Sequence, residues 1–451
     1  MAGRGIVPDG GGGGRDNLFA CRGRGGHTGG MNYKTHFNGF RCFRCGAEQK
    51  ADFSGYVCPA CGGNLEVVYE WPRVRPVPDW WKEVARRNVF RYAALMPVSR
   101  LDLVPPLRVG LTPLVDAPRL GELAGLKNLR IKDDGQNPSA SFKDRAGAVA
   151  LARAREIGAS VVCGASTGNA GSSMACLAAS VGMPCVIFVP EAAPAAKIAQ
   201  LLTFGARVLA VKGTYDDAFD LCMDVCAKRG WFNRNTGYNP FTREGKKTVA
   251  FEIVDELGHV PDWVAVPVGD GNIISGVWKG FRDLKDAGIT DKLPKLLCAQ
   301  SEASNAIALA FDKVRAAGGT PDWKSVEVAP VQATTVADSI SVDIPRDGLA
   351  AVRAVWESGG RAVQVPDAEI LAAIPEIARH SGVFAEPAAA CAWGGLKRAA
   401  AAGIVGADEE VVLMCTGNGL KDIASARKAA GEPIPVECNA DAAMAATEGV
   451  A

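Results

Sequence analysis

Lys143 stands in the run Asn137-Pro138-Ser139-Ala140-Ser141-Phe142-Lys143-Asp144-Arg145, where small residues lead to one lysine at the mouth of a helix. Free N–H groups and the positive dipole end of a helix favour the neutral, nucleophilic amine and draw phosphate to the same place. Those two demands together suit a Schiff base. Taken alone, Lys-Asp-Arg at a helix start also fits an ordinary solvated first turn.

Three further segments repeat one pattern: a short apolar strand, a small polar loop, then a helix. Val161-Val162-Cys163 opens into Gly164-Ala165-Ser166-Thr167-Gly168-Asn169-Ala170-Gly171. Val264 to Val268 leads to Gly269-Asp270-Gly271-Asn272-Ile273, and Val411 to Cys415 leads to Thr416-Gly417-Asn418-Gly419-Leu420-Lys421-Asp422. Such mouths present backbone donors to an anion. Each glycine loop alone could be a plain tight turn, and Thr416 could simply cap the next helix. Their joint presence implies an enclosed cofactor.

A second chemistry lies upstream. Cys42-Phe43-Arg44-Cys45-Gly46 and Cys58-Pro59-Ala60-Cys61-Gly62 are two C-x2-C knuckles with twelve residues between them. Each turn aims two sulfurs at one point, and four thiolates satisfy tetrahedral zinc with no open position, so the metal would be structural. Rubredoxin-type iron and a metal-free knuckle are the other readings. Asp52 to Val57 and Leu65 to Tyr69 read as the strands of this ribbon. Eight other cysteines, including Cys163, Cys185, Cys298 and Cys415, lie in apolar or helical contexts where thiols pack as small hydrophobes.

The order of these segments, from about Leu111 to Ala430, resembles the fold-type II pyridoxal-phosphate enzymes, and within them the threonine synthase family. Ser-Phe-Lys-Asp-Arg and Thr-Gly-Asn-Gly-Leu-Lys-Asp carry most of the resemblance. It implies that Lys143 forms the Schiff base with pyridoxal 5'-phosphate and that Asn169 hydrogen-bonds the pyridine 3'-oxygen. Gly269, Asp270, Gly271, Asn272 and Ile273 would hold the phosphate, with Thr416 opposite the ring nitrogen. A hydroxyl there keeps the ring near neutral, a milder electron sink suited to elimination. The activity implied is conversion of O-phospho-L-homoserine and water to L-threonine and phosphate.

Substrate contacts are expected from Ser166 and Thr167, for the amino-acid carboxylate, and from Asn235 and Arg243 in the stretch running from Asn235 to Thr248. A solvated surface turn is the alternative for the latter charges. A serine/threonine dehydratase or a β-replacement synthase would share Lys143, Asn169 and the glycine loops. A non-catalytic zinc-ribbon binding protein is the reading from a different class. Some members carry such a ribbon, and an arm like that of residues 71–110 pairs subunits in relatives, which implies a homodimer.

These side chains need a scaffold. From about residue 126 to 430, apolar strands such as Cys185 to Val189 and Ala206 to Val211 alternate with alanine-rich helical stretches. Alternation of that kind gives an α/β fold of largely parallel twisted sheets, with ligands at the carboxyl ends of strands. The expected organisation is a disordered tail (1–30), a zinc ribbon (31–70), the arm (71–110), a large domain (111–125 and 245–435), a smaller α/β domain (126–244) and a flexible tail (436–451). Trp80 to Tyr92 is expected to form one helix.

Composition is consistent with an enzyme. The chain has 451 residues, 48% hydrophobic, enough for two or three cores. A net charge of +1 argues against nucleic acid as partner. No run of eighteen apolar residues and no signal-peptide pattern appears, so a cytoplasmic protein with a small-molecule substrate and no membrane partner is expected. Twelve of the first thirty residues are glycine, too little apolar surface to offset ordering entropy, and Met31 is a candidate for the true initiator.

Overall fold

The computed structural model describes residues 34–72 and 79–448. The expectations for the glycine-rich tail and for Met31 lie outside the described residues.

The ribbon comprises β1 (Phe37–Cys42), β2 (Glu48–Lys50) and β3 (Leu65–Tyr69), in the antiparallel order β2-β1-β3. The segment from Asp52 to Val57 is not a strand; it turns, packing Phe53 edge-on against Phe40 and making an isolated bridge from Val57 to Asn64. The helix expected from Trp80 to Tyr92 is also absent. Asn88 caps a 3-10 helix, Val89–Leu95, by accepting from the Phe90 amide, while the Glu83 amide reaches back to Arg91 O. That return lets Trp81 stack on Tyr92, with ring centroids 5.5 Å apart.

Next come β4 (Leu114–Asp116) and β5 (Asn128–Asp133), then β6 (Val162–Ala165), β7 (Cys185–Pro190), β8 (Arg207–Val211) and β9 (Phe232–Asn233). The chain continues with β10 (Trp263–Pro267), β11 (Lys295–Ser301), β12 (Arg361–Val365) and β13 (Glu410–Cys415). One sheet runs β12-β11-β10-β13-β5-β4, parallel except for its edge strand β4; the other runs β8-β7-β6-β9, all parallel. Continuous apolar runs such as Trp263–Pro267, buried at every position, suit strands covered on both faces. β5 falls inside the stretch 126–244 expected for the smaller domain, yet it pairs with β13 in the larger sheet, so the second sheet begins only with β6. Its alternation of apolar residues looks the same in either sheet; pairing partners alone decide.

The helix Lys143–Glu156 joins the layers and is buried nearly all round, which its alanines permit. Close approach is secured by two glycines. A Cβ on Gly147 would lie 2.6 Å from Leu177 Cδ1, and one on Gly245 would lie 2.0 Å from Arg145 O. Gly158, at φ 71°, ends the helix in the left-handed conformation that glycine adopts without cost. At the far end of the chain, Ala440–Ala446 is a short helix with no buried residue, where a flexible tail was expected. Among the described residues no helix is long and apolar enough to cross a membrane.

Candidate active site

Lys143 is half-buried, and its neighbours in sequence are spent on holding the loop. Asp144 accepts from the Ser139 amide at 2.6 Å and from the Ser139 hydroxyl at 2.5 Å. Asn137 Oδ1 accepts from Gly110 N, and Arg145 turns away to pair with Asp134 and Glu252 in a fully buried network. Phe142 N donates to Thr416 O at 2.9 Å and Asn418 N to Ala140 O at 3.1 Å, which zips the lysine loop to the Thr416 loop. Lys143 Nζ makes no hydrogen bond or ion pair with a described residue. Burial holds the amine below the ordinary lysine range, the Arg234 guanidinium adds to this, and the Asp270 and Glu386 carboxylates oppose it.

Two contiguous cavities meet at this amine. The inner one is lined by Asn169, Lys246, residues 269–274, Glu386 and Thr416. The outer one, about 450 Å³, is lined by Ser166, Thr167, Gly168, Arg234, Asn235 and Arg346. Lys143, Asn169, Thr236, Asp270 and Ser339 border both. This volume lies in the range of small-ligand sites.

The donors lining the inner cavity, a space of about 40 Å³, suit the phosphate group of pyridoxal phosphate. Among the described residues the amides of Gly269, Asp270 and Gly271 donate to no protein acceptor, and the Gly271 φ of 93° turns them toward the start of the helix Asn272–Asp286. A Cβ on Gly269 would meet Ile340 Cα at 2.7 Å, so glycine is required for the fit. Lys246 also faces this space. Its Nζ donates to Asn272 Oδ1, and burial followed by the positive charges of Lys143 and Arg234 drives its pKa well down. Free amides at a helix start, with two lysine amines beside them, are a seat for a phosphate group.

Asn169 lines the inner cavity, and its amide is engaged by Glu386, a residue absent from the motif reading. Asn169 Nδ2 donates to Glu386 Oε1 at 3.2 Å and Oε2 at 3.0 Å, and burial pushes the Glu386 carboxyl up. The only local sign of Glu386 was an acid before Pro387, which reads as a routine helix start. Asp270 is likewise pushed up to about 6, by burial first and Asp347 second, and its Oδ2 has no partner.

In the outer cavity the amides of Thr167, Gly168 and Asn169 donate to no described acceptor, at the start of the helix Asn169–Ser180. Asn235 lines this cleft but also braces it: Oδ1 accepts from Ala165 N at 2.8 Å, while Nδ2 approaches Cys222 Sγ at 3.5 Å. The structure places Arg243 outside both cavities. It pairs with Asp347, donates to Leu65 O and Ser275 Oγ, and lies 4.5 Å over the Phe43 ring. The helix Phe241–Lys246 turns that side chain to the ribbon, which spacing along the sequence did not reveal. The cleft contains Arg234 instead. Its guanidinium is buried, has no carboxylate partner within ion-pair distance among the described residues, and leaves Nε without a hydrogen bond. Burial lowers its pKa to about 10.

The four ribbon cysteines converge. Their Sγ atoms lie within 4.8 Å of one another, with Cys42 to Cys61 at 3.5 Å and Cys45 to Cys58 at 3.6 Å. Tetrahedral zinc with Zn–S bonds of about 2.3 Å requires sulfur separations of roughly 3.8 Å, so the set can hold that ion.

Fold and site together define an enzyme of the pyridoxal-phosphate class. The family model described as "Pyridoxal-phosphate dependent enzyme" matches residues 106–417. Threonine synthase from Methanocaldococcus jannaschii is 40% identical over 402 residues, covering 88% of this chain and 96% of the relative. That from Methanosarcina acetivorans is 38% identical over 413 residues, covering 91% and 99%. Among solved structures, processed threonine deaminase isoform 2 from Solanum lycopersicum superposes with a TM-score of 0.61 at 20% identity, covering 80% of this chain and 98% of that one, a likeness of fold. The chain belongs to the threonine synthase family of pyridoxal-phosphate dependent enzymes.

Proposed function

We propose that the protein converts O-phospho-L-homoserine and water to L-threonine and phosphate, with the phosphate of pyridoxal 5'-phosphate in the inner cavity. The observation that carries this reading is Arg234, a buried guanidinium without a carboxylate partner, beside a lysine amine that is also unpaired. A second phosphate, on the substrate, supplies the missing anion; Arg can bind it through two N–H groups at once.

The bound cofactor supplies an electron sink. Residues 269–273 and Lys246 hold its phosphate, while Asn169 and Thr416 orient its ring. Ser166, Thr167 and the free amides beside them bind the substrate carboxylate, and Arg234, with Asn235 behind it, binds the γ-phosphate. The amine of Lys143 takes the proton from Cα and then one from Cβ, the phosphate leaves Cγ, water adds at Cβ, and protons return at Cα and Cγ. A lowered pKa serves these transfers, because the amine is available without a proton near neutral pH. Zinc on Cys42, Cys45, Cys58 and Cys61 is structural in this reading. A cytoplasmic homodimer completes it.

The test is incubation of the holoenzyme with O-phospho-L-homoserine, and separately with L-threonine and L-serine. Equal amounts of phosphate and threonine from the first support the proposal. Oxo acids from the other two, with the phosphorylated substrate inert, would make the protein a dehydratase.

A further inference from the structure

The cysteine ribbon packs behind the inner cavity and reaches its lining through Arg243, Arg346 and Asp347. Asn64 follows the second knuckle by three residues, and its Nδ2 donates to Asp347 Oδ1 at 3.0 Å and to Arg346 O at 2.7 Å. Its carbonyl accepts from Phe43 N, inside the first knuckle, and the Phe43 ring carries the Arg243 guanidinium. Both knuckles therefore converge on the buried pair Arg243 and Asp347.

That pair in turn clamps the 269–273 loop. Asp347 Oδ2 accepts from Asn272 Nδ2 at 2.8 Å and from Ser275 Oγ at 2.6 Å, and Asp347 N donates to Asp270 O at 3.1 Å. Arg346 N donates to Asp270 Oδ1 at 2.7 Å. A Cβ on Gly271 would lie 2.8 Å from Asp347 O, so the loop has no slack against this support. Asn272 also receives the Lys246 amine. A continuous chain of hydrogen-bonded and stacked groups links a knuckle turn to the seat of the cofactor phosphate.

We propose that Asn64 and Asp347 are positioning residues for cofactor binding, and that the metal, by fixing the two knuckles, presets the loop that receives the cofactor phosphate. The proposal rests on the reading of residues 269–273 as that loop. Loosening either knuckle withdraws the Asn64 donor from Asp347, and the loop amides then lose their common orientation before the phosphate arrives. Preorganisation of donors is what a loop of free amides contributes to affinity.

The experiment is titration of apoenzyme with pyridoxal phosphate, followed by absorbance, for wild type, Asn64→Ala, Asn64→Gln and Arg44→Ala, and for protein freed of metal by chelation. Arg44 donates to Lys324 O, a ribbon contact that does not touch Asp347. Asn64→Ala is expected to weaken cofactor affinity about ten-fold, the worth of one hydrogen bond to a charged group, with metal content and melting temperature unchanged. Asn64→Gln should recover part of the loss, Arg44→Ala should bind as wild type does, and metal-free protein should lose at least as much as Asn64→Ala. Unchanged affinity in Asn64→Ala, or an equal loss in Arg44→Ala, would overturn the proposal. Reduced cofactor affinity in an enzyme that makes no threonine would leave it standing while the proposed reaction falls.

Discussion

Asn169 gives its amide hydrogens to the Glu386 carboxylate, 3.2 and 3.0 Å from its two oxygens, across the mouth of the inner cavity. Glu386 is itself held by its neighbours: its amide donates to Gly417 O at 3.0 Å, and a Cβ on Gly417 would fall 2.3 Å from its carboxylate. The carboxylate thus sets the rotation of the amide and, through Gly417, the Thr416 loop. Glu386→Ala should weaken cofactor affinity about ten- to a hundred-fold, the loss of a hydrogen bond to a charged group. Equilibrium titration with pyridoxal phosphate measures this, and Gly417→Ala should do the same by steric displacement.

The lowered pKa of Lys143 gives a pH dependence of definite sign. An amine must shed its proton before it attacks a carbonyl, so the rate of cofactor capture rises with pH and levels off above the amine's pKa. The midpoint should lie below 10.5, the ordinary lysine value, because burial disfavours the charged form. Arg234→Gln removes a positive neighbour and should move the midpoint upward. Stopped-flow absorbance across pH reads both.

Arg234→Gln should also separate binding from chemistry. If the guanidinium holds the substrate phosphate, kcat/KM for O-phospho-L-homoserine should fall about a hundred-fold or more, the cost of removing one partner of a buried charged contact. Arg243→Gln, which touches neither cavity, should affect stability and cofactor retention first. Steady-state kinetics of the two variants, side by side, distinguish these roles.

Beneath the lysine loop, Arg145 bonds Asp134 at 2.6 Å and Glu252 at 2.5 Å, all three fully buried. Arg145→Ala strands two carboxylates and should cost about 3–5 kcal/mol in urea unfolding. Burial opposes but Arg145 and Lys132 dominate at Glu252, whose carboxyl sits at about 2. Its folded value lies below its unfolded one, so the stabilisation is present above the unfolded pKa and lost as pH falls toward 2. Arg145→Ala should therefore shift acid unfolding to higher pH.

Much of this was legible in the chain because strand, glycine loop and helix follow one another locally. Lys143, Asn169 and the 269–273 loop occupy one cavity, as their motifs implied. Arg234 was hidden for a different reason: it sits at the end of a two-residue strand, and nothing adjacent marks its lack of a partner. Arg243 stood in a polar run that invited a substrate role, yet its partner Asp347 lies 104 residues away. The membership of β5 was obscure because pairing is non-local. Partners distant in sequence, and not residue types, decide what the sequence alone left hidden.

Lys143 and Lys246 share the inner cavity, and both amines are depressed by burial. Reduction of the holoenzyme with borohydride, digestion and mass spectrometry would show which of them carries the cofactor. A phosphopyridoxyl group on the peptide containing Lys143, absent together with turnover in a folded Lys143→Ala variant, is the expected result. The group on Lys246, or undiminished threonine formation by Lys143→Ala, would contradict the assignment of Lys143.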